Sequence, residues 1–257
     1  MISIFQAVVL GVVEGVTEFL PISSTAHLVI VSELLKIDQS VFVKTFEIAI
    51  QSGAILAVVV LYVKKFFDIE VLKRVCIAFV PTAVLGLLFY TLIKTYLIGN
   101  MSVILTALAL GGVFLILFET YFRKEDVVSD IKSITYKNAF YIGLFQSVAM
   151  IPGVSRSAAT IVGGLLLGVK RDTIIEFSFL LAVPTMLAAT GLDLIKSSGS
   201  ITQSEFGILG IGFVTSFIMA IASIKFLLRF IKTRTFVAFG VYRVLLVLLI
   251  VGGTYAF

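Results

Sequence analysis

The stretch EGVTEFLPISSTAH, residues 14–27, combines the hydrophobicity of a membrane segment with an unusual density of polar side chains. Two carboxylates, Glu14 and Glu18, stand one helical turn apart, and a run of three hydroxyl residues precedes His27, the single histidine of the sequence. An ionisable side chain at bilayer depth costs about 2.5–3.5 kcal/mol on insertion scales, so such residues are expected to have a chemical use. The rest of the sequence shows whether this stretch belongs to a membrane protein.

The composition is that of a polytopic α-helical membrane protein. Of the 257 residues, 60% are hydrophobic and 14% are charged, and the mean hydropathy is +1.15, which is too apolar for a soluble domain of this size. The apolar stretches are long and do not alternate, which argues against a transmembrane barrel. The one cysteine, Cys76, excludes an internal disulfide and a cysteine-based metal site. Membrane orientation explains the net charge of +5, so nucleic acid is not expected as a partner.

Pro21 divides the first polar stretch into two helical arms, residues 2–19 and 24–35. A proline followed by a run of hydroxyl residues ends one helix and caps the next. Each arm is near or below the length of about 20 residues that a crossing requires. We therefore predict a re-entrant hairpin that enters the bilayer and returns to the same side. Three spanning helices are predicted to follow, at about residues 45–63, 75–93 and 101–122.

After the polar connection 123–137, the sequence repeats this plan. Pro152 and Gly153 separate two short helical arms, and an offset of 131 residues places Pro21 on Pro152 and Ser24 on Ser155. The arms are predicted at residues 138–151 and 155–168, and three spans at about residues 173–195, 206–228 and 236–255.

The predicted fold is a single all-α polytopic membrane domain covering residues 1–257, with about ten helices. Six of them span the bilayer, and two pairs are re-entrant. The halves, about residues 1–128 and 132–257, each contain one hairpin and three crossings. Because three is odd, the second half is predicted to be inverted relative to the first, with a site where the two broken elements meet.

Most of the 20 Lys and Arg residues share one predicted side of the membrane. The positive-inside rule makes that side cytoplasmic, so both termini and the mouth of the first hairpin are predicted to lie outside. Reading each hairpin as two full crossings would leave this distribution unchanged, so charge does not decide between the two. The basic residues of the predicted cytoplasmic side lie in residues 64–74, 123–137, 170–171 and 225–234.

Glu14 and Glu18 are spaced so that both carboxylates project from one face of the first helix. Carboxylate oxygens suit Mg²⁺ or Ca²⁺, and a diphosphate would complete the coordination shell. The alternative is that they bond to neighbouring helices or line a wet vestibule. Repulsion between two buried carboxylates favours the cation site.

His27 lies within a turn of Ser24, and its predicted role is proton transfer or activation of a nucleophile. A lone histidine is otherwise more often a structural residue. Glu47 and Gln51 share one face of the third helix. They are predicted to contact the site residues without contacting the ligand. For Glu47, the alternative is a role at the membrane interface.

The second break supplies the sequence PGVSRSAAT, residues 152–160. Its hydroxyls on Ser155, Ser157 and Thr160, its helix N-terminus and the planar guanidinium of Arg156 suit phosphate oxygens. An ion pair between Arg156 and a glutamate is the structural alternative, and both hold if the pair opens for the substrate. Arg243, inside an apolar segment, is predicted to be a helix-packing or interfacial group.

Together, EGVTEFLPISSTAH and PGVSRSAAT resemble the undecaprenyl-diphosphate phosphatase family, also called bacitracin-resistance proteins. The likeness extends over the whole sequence, including KTFEIAIQSGAILAVVV and EFSFLLAVP. It implies a bacterial cytoplasmic-membrane enzyme that removes the terminal phosphate of undecaprenyl diphosphate, recycling the lipid carrier for cell-wall synthesis. It also implies ten helices including two re-entrant pairs, divalent-cation dependence, and an active site that opens to the outer side.

The resemblance assigns roles by position. Glu14 and Glu18 match the metal-associated pair. Ser24 and His27 match the hydroxyl and imidazole with catalytic roles, and Ser155, Arg156 and Thr160 match the phosphate-binding motif. Taken together with the residue chemistry above, the expected catalytic set is Glu18, Ser24, His27 and Arg156, and the expected phosphate-binding set is Ser23, Thr25, Ser155, Arg156, Ser157 and Thr160. The family commonly has glycine where Ala26 and Ala158 stand, a difference that narrows the phosphate site slightly.

Charge sets the expected mechanism, because a diphosphate carries about three negative charges that must be neutralised. His27 is expected to activate either Ser24 or a water, and the sequence does not decide between them. Membrane lipids are expected partners, and a homodimer is left open. A transporter or flippase for a phosphorylated polyprenyl lipid is the alternative function, because inverted repeats with broken helices are a transporter plan.

Overall fold

The computed structural model describes residues 2–122, 127–196 and 203–255, without the side chains of residues 193–196, 203–204 and 254–255. Arg123, Lys124 and the side chain of Lys196, which contribute to the predicted charge distribution, lie outside this part. The described residues form helices and connecting turns, with one isolated bridge between Val128 and Val169. The predicted all-α class is confirmed.

The first part of the chain folds into seven helices. A capping box begins the first, because the Ser3 side chain accepts from the Gln6 backbone while the Gln6 side chain accepts from the Ser3 backbone. A π-helical turn, Ile93–Leu97, follows the sixth. The helices are α1 (Ile4–Thr17), α2 (Ser24–Leu34), α3 (Val41–Leu61), α4 (Val63–Phe66), α5 (Ile69–Leu88), α6 (Tyr90–Leu92) and α7 (Met101–Tyr121).

The second part contains five helices and two short 3₁₀ turns, Ile131–Ser133 and Val148–Met150. Pro152 follows the second turn, so the predicted break lies where the sequence placed it. The helices are α8 (Tyr136–Ser147), α9 (Arg156–Leu166), α10 (Arg171–Lys196), α11 (Gln203–Phe230) and α12 (Val237–Tyr255).

Five of the described helices are long and apolar enough to cross a membrane. They are α3, α5 and α7, with the stretches Arg171–Leu192 of α10 and Glu205–Phe230 of α11. The described apolar stretch of α12, Val237–Gly253, is shorter, so the sixth span stays a prediction. The polytopic membrane class is confirmed by these five helices.

The helices after the two breaks have the same length and the same unusual start. Each contains 11 residues, and each N-cap is a serine with a positive φ, 71° at Ser23 and 78° at Ser155. Each serine side chain accepts from the backbone three residues later, at Ala26 and Ala158. Ser23, rather than Ser24, therefore corresponds to Ser155. The offset between the helices is 132 residues, because the second break has one more residue between its proline and its N-cap.

Close helix packing brings the two breaks together. α11 lies along α1 and α3, α5 lies along α8, and α12 lies along α7, while α10 contacts α3, α5 and α9. The α5–α8 contact is especially close, because a Cβ on Gly143 would lie 2.0 Å from the carbonyl oxygen of Ala78. Buried phenylalanines, among them Phe19 and Phe179, fill the space beside the first break.

Ion pairs occupy the ends of these helices on the predicted cytoplasmic side. Lys132 contacts Asp68 at 2.6 Å, and Arg171 contacts Glu119 at 2.6 Å. The hydrogen bond from Lys132 lowers the pKa of the Asp68 carboxyl.

Candidate active site

The two broken segments meet at one cavity of about 240 Å³. The first broken segment, residues 14–27, is called the first break, and residues 152–160 are called the second break. The first break contributes Glu18, Ser23, Ser24 and Thr25 to the cavity walls, and the second contributes Pro152, Gly153, Ser155 and Arg156. Four further polar residues also line the cavity: Gln51 of α3, Thr82 of α5, Gln146 of α8 and Thr185 of α10. The predicted composite arrangement of two segments about 130 residues apart is therefore present.

Glu18 links the two breaks. Its Oε1 atom accepts a hydrogen bond from Arg156 Nη2 at 2.8 Å, and its Oε2 atom accepts a short hydrogen bond from the Ser24 hydroxyl. Arg156 also donates from Nη1 to the Ser178 carbonyl at 3.0 Å. The Glu18 and Arg156 side chains are only 9% and 13% exposed, so this ion pair is shielded from water. The ion pair considered as the structural alternative for Arg156 exists.

The hydroxyls of the second break have different surroundings. The Ser155 side chain lies 3.1 Å from that of Ser157, which donates to the Leu20 carbonyl of the first break at 2.9 Å. Thr160 donates to the Arg156 carbonyl one turn earlier at 2.8 Å. Ser155 lines the cavity, whereas the fully buried Ser157 and Thr160 do not. Ser157 joins the two breaks, and Thr160 bonds within its own helix.

The hydrogen bonds of His27 fix which of its ring nitrogens carries the proton. Nδ1 lies 2.7 Å from the Ser23 carbonyl, which can only accept, so Nδ1 donates. Nε2 lies 2.7 Å from the Tyr242 hydroxyl and accepts from it in the neutral ring. The two rings stack, with centroids 5.6 Å apart. His27 therefore holds the residue before Ser24, and it is not among the residues that line the cavity.

Glu14, the other predicted cation ligand, is fully buried. Neither of its carboxylate oxygens has a hydrogen-bond partner in the part of the chain that the structure describes. A buried carboxylate without a donor fits a hard cation. However, no group of three or more His, Cys, Asp or Glu side chains among the described residues is placed to hold a metal ion. Any cation here would need further oxygen ligands besides carboxylates, from other protein groups, the substrate or water.

The two residues predicted to support the site from α3 lie at different depths. Gln51 reaches the cavity wall, whereas the half-buried Glu47 does not line it. Its position on the cavity wall makes Gln51 a candidate for substrate binding.

Comparison with known sequences identifies the family. A family model described as "Bacitracin resistance protein BacA" matches residues 7–249. The chain belongs to this family. An Aquifex aeolicus protein named undecaprenyl-diphosphatase is 53% identical over 243 residues, 94% of this chain and 95% of the relative. A protein of the same name from a Sulfurihydrogenibium species is 51% identical over 94% of this chain and 95% of the relative. Another, from Methanococcus aeolicus, is 43% identical over 94% and 95%.

In this member of the BacA family, Arg243 of α12 holds the backbone of both breaks. Its side chain is fully buried, and its guanidinium donates to Pro21 of the first break at 3.4 Å. It also donates to Gly153 and Val154 of the second break, at 2.8 and 3.1 Å. Two further bonds, of 3.2 and 3.1 Å, reach the α7 carbonyls of Ala107 and Leu108. The helix-packing prediction for Arg243 is confirmed, and the interfacial alternative is wrong.

A second, larger cavity of about 730 Å³ lies on the other side of the second break. Val154 and Ala158 face this cavity, whereas Ser155 and Arg156 face the polar one. Its other walls are mostly apolar side chains of α7, α8 and α9. The short segment 154–158 thus separates a polar space from an apolar one.

Sequence reasoning missed Tyr242, Thr82, Gln146 and Thr185. The available signal was a polar residue inside an apolar helix, as at Gln146 in GLFQSVAMIPG. That signal marks a candidate, but it does not reveal which partner lies opposite in the fold.

Proposed function

We propose that this protein is an undecaprenyl-diphosphatase that removes the terminal phosphate of undecaprenyl diphosphate and so recycles the lipid carrier for cell-wall synthesis. The observation that carries the proposal is the placement of Glu18, between the Ser24 hydroxyl and Arg156 in the cavity that both breaks form. The names of the relatives support the same activity. Bacitracin resistance follows from the same recycling.

Ser24 is the nucleophile in this proposal. Its hydroxyl already donates to Glu18, so Glu18 can take the proton as Ser24 Oγ attacks the terminal phosphorus. The bond from that phosphorus to the bridging oxygen breaks, and the proton held by Glu18 passes to the departing undecaprenyl phosphate. Water, deprotonated by Glu18, then attacks the phosphoserine. Ser24 recovers a proton from Glu18, and inorganic phosphate leaves.

Arg156 binds the terminal phosphate once its ion pair with Glu18 opens. The planar guanidinium can bond two phosphate oxygens at once, and Ser155 lies beside it on the cavity wall. Ser23 and Thr25 offer further polar contacts from the first break. The proton-transfer role of His27 remains a prediction, and its contacts favour a role in holding the Ser23 carbonyl next to Ser24.

A divalent cation, Mg²⁺ or Ca²⁺, is part of the proposal. Glu14 and Glu18 would hold it, and this choice is supported by the Glu14 oxygens, which have no hydrogen-bond partner among the described residues. When bound, the cation would neutralise charge on the diphosphate.

We also propose the finer membrane architecture. α1 with α2 and α8 with α9 form re-entrant pairs in two inverted halves, with the polar cavity open to the outer face of the bacterial cytoplasmic membrane. The equal lengths and N-caps of α2 and α9 support the repeat. The apolar cavity beside segment 154–158 is placed to take part of the isoprenoid chain.

Phosphate release from purified full-length protein tests the function. We expect release from undecaprenyl diphosphate in Mg²⁺ or Ca²⁺, and a loss of at least about 10³-fold in Ser24→Ala. Ser52→Ala is the matched control, because Ser52 donates to its own helix at Ile48 and does not line the cavity. Wild-type activity is expected in that variant.

Rapid-quench labelling with substrate carrying a radioactive terminal phosphate tests the covalent step. Labelled Ser24 is the expected result. Full activity in Ser24→Ala without labelled protein would replace the covalent route by direct attack of water. Folded wild-type protein that binds the lipid but releases no phosphate would favour a transporter or flippase instead.

A further inference from the structure

Gln146 occupies a buried position on the wall of the polar cavity that the proposed mechanism does not use. Its side chain is 1% exposed and extends from α8 between two neighbouring helices. The Nε2 atom donates to Thr82 Oγ1 of α5 at 2.8 Å and to Thr185 Oγ1 of α10 at 3.1 Å. All three residues line the cavity.

Both threonines accept from the amide end of Gln146. Thr82 donates its hydroxyl proton to the Gly143 carbonyl at 3.1 Å, and Thr185 donates to the Leu181 carbonyl at 2.8 Å. With their protons on these carbonyls, both threonine oxygens accept from Gln146 Nε2. In this arrangement, the carbonyl end of Gln146 points away from the threonines.

Oε1 of Gln146 is left as a buried acceptor. No hydrogen-bond donor reaches it from the part of the chain that the structure describes. A buried polar atom without a partner is costly, which makes such an atom a candidate contact for a ligand. The missing partner of this acceptor must be a hydrogen-bond donor. The proposed ligand of the cavity is an anion whose oxygens are mostly acceptors, so the donor on that ligand must be a protonated oxygen.

We propose that Gln146 Oε1 accepts a hydrogen bond from a protonated phosphate oxygen, so that the cavity recognises phosphate by its P–OH group. This inference rests on the proposed function, which places phosphate in the cavity. Arg156 would bind the deprotonated oxygens, while Gln146 would bind the protonated one. The same contact serves the terminal phosphate in its singly protonated form and the inorganic phosphate that is released.

Sulfate tests this proposal, because it has the tetrahedral shape and charge of hydrogen phosphate but carries no proton at neutral pH. The two anions are compared as inhibitors of phosphate release by the full-length protein. In the wild type, we expect phosphate to inhibit at a concentration about tenfold lower than sulfate, the ratio that one hydrogen bond supplies. This measurement requires no substitution.

Two variants and a control assign the preference to Gln146. Gln146→Met keeps the length of the side chain without the acceptor, and we expect the ratio to fall to about one, chiefly through weaker phosphate inhibition. Gln146→Glu keeps an acceptor, so the preference should persist although its negative charge weakens both anions. Ser52→Ala is the control, because Ser52 donates to the Ile48 carbonyl of its own helix and does not line the cavity. Its ratio should equal that of the wild type.

The outcomes separate this proposal from the proposed function. Equal inhibition by both anions in the wild type, or an unchanged ratio in a folded and active Gln146→Met, would overturn the role of Gln146 and leave the phosphatase intact. No phosphate release by folded wild-type protein would overturn the function itself. If Gln146→Met does not fold, the wild-type ratio and Gln146→Glu still decide the question, because loss of the preference in Gln146→Glu would contradict an acceptor role.

Discussion

Arg243 stabilises the candidate active site by bonding to backbone carbonyls and not by taking part in its chemistry. The breaks leave backbone carbonyls without helical partners, and in an apolar interior each such carbonyl needs a donor. A guanidinium has five N–H donors in one plane, and Arg243 uses them on five carbonyls from both breaks and α7. Its charge is spread over neutral oxygens, so we regard Arg243 as a positioning residue.

Substitution of Arg243 tests this role. Arg243→Met should lower the free energy of unfolding by at least about 3 kcal/mol, because it leaves several buried carbonyls unpaired. Arg243→Lys should recover only part of that loss, because an ammonium has three donors and no planar fork. Thermal unfolding of the detergent-purified variants measures both. Arg234→Met, at an exposed arginine, is the control, and equal stability of the Arg243 and Arg234 variants would contradict the role.

At the scale of elements, each break combines a proline with a serine that has a positive φ and caps the next helix. Ser23 and Ser155 adopt positive φ values without being glycine, which costs about 1–3 kcal/mol each and persists only where the surrounding structure enforces it. In the second break, Gly153 has a φ of +100°, and its Cα lies against α7. These conformations turn the chain so that the serine hydroxyls and Arg156 reach one cavity.

Gly153→Ala should disrupt the second break. A Cβ there would lie 2.4 Å from the Ile104 carbonyl, and the positive φ disfavours any side chain. We expect the free energy of unfolding to fall by about 1–3 kcal/mol. Phosphatase activity should fall more than this loss of stability alone explains, because Ser155 and Arg156 follow within three residues. Gly191→Ala in α10 is the matched control, because no atom of the described part of the chain lies within 4 Å of its added Cβ. Wild-type activity in Gly153→Ala would contradict this account.

The sequence predicts the position of these elements more accurately than it predicts the contacts between them. Proline followed by hydroxyl residues is a local signal, so both breaks were located to within a few residues. The one-residue difference in offset was missed, because it depends on the positive φ of Ser23 and Ser155, which residue type alone does not specify. Tyr242, Arg243 and Gln146 are far from their partners along the chain, and only the packing of α5, α7, α8, α10 and α12 brings them to the site.

At the scale of the whole molecule, the shared cavity bears on how the chain crosses the bilayer. If each hairpin were two full crossings, the inverted halves would place the two breaks at opposite surfaces, about 30 Å apart. Glu18 and Arg156 instead approach within 2.8 Å across one cavity of about 240 Å³. This proximity supports our proposal that the pairs are re-entrant, which the charge distribution does not test.

Labelling of introduced cysteines tests this architecture, in a Cys76→Ser background because Cys76 is exposed. Thr25→Cys and Ala149→Cys place thiols on the cavity wall, one in each break. A charged, membrane-impermeant thiol reagent applied to the outer side of intact cells should modify both, because both residues line the one cavity that we propose opens to the outer face. Ser133→Cys, in the basic connection that the positive-inside rule predicts to be cytoplasmic, should react only after permeabilisation. Modification of Thr25→Cys from the cytoplasmic side and of Ala149→Cys from the outer side would establish full crossings and overturn the re-entrant architecture, whereas modification of both from the cytoplasmic side would overturn only the proposed opening to the outer face. The shared depth of the breaks would then require a different path of the chain through the bilayer.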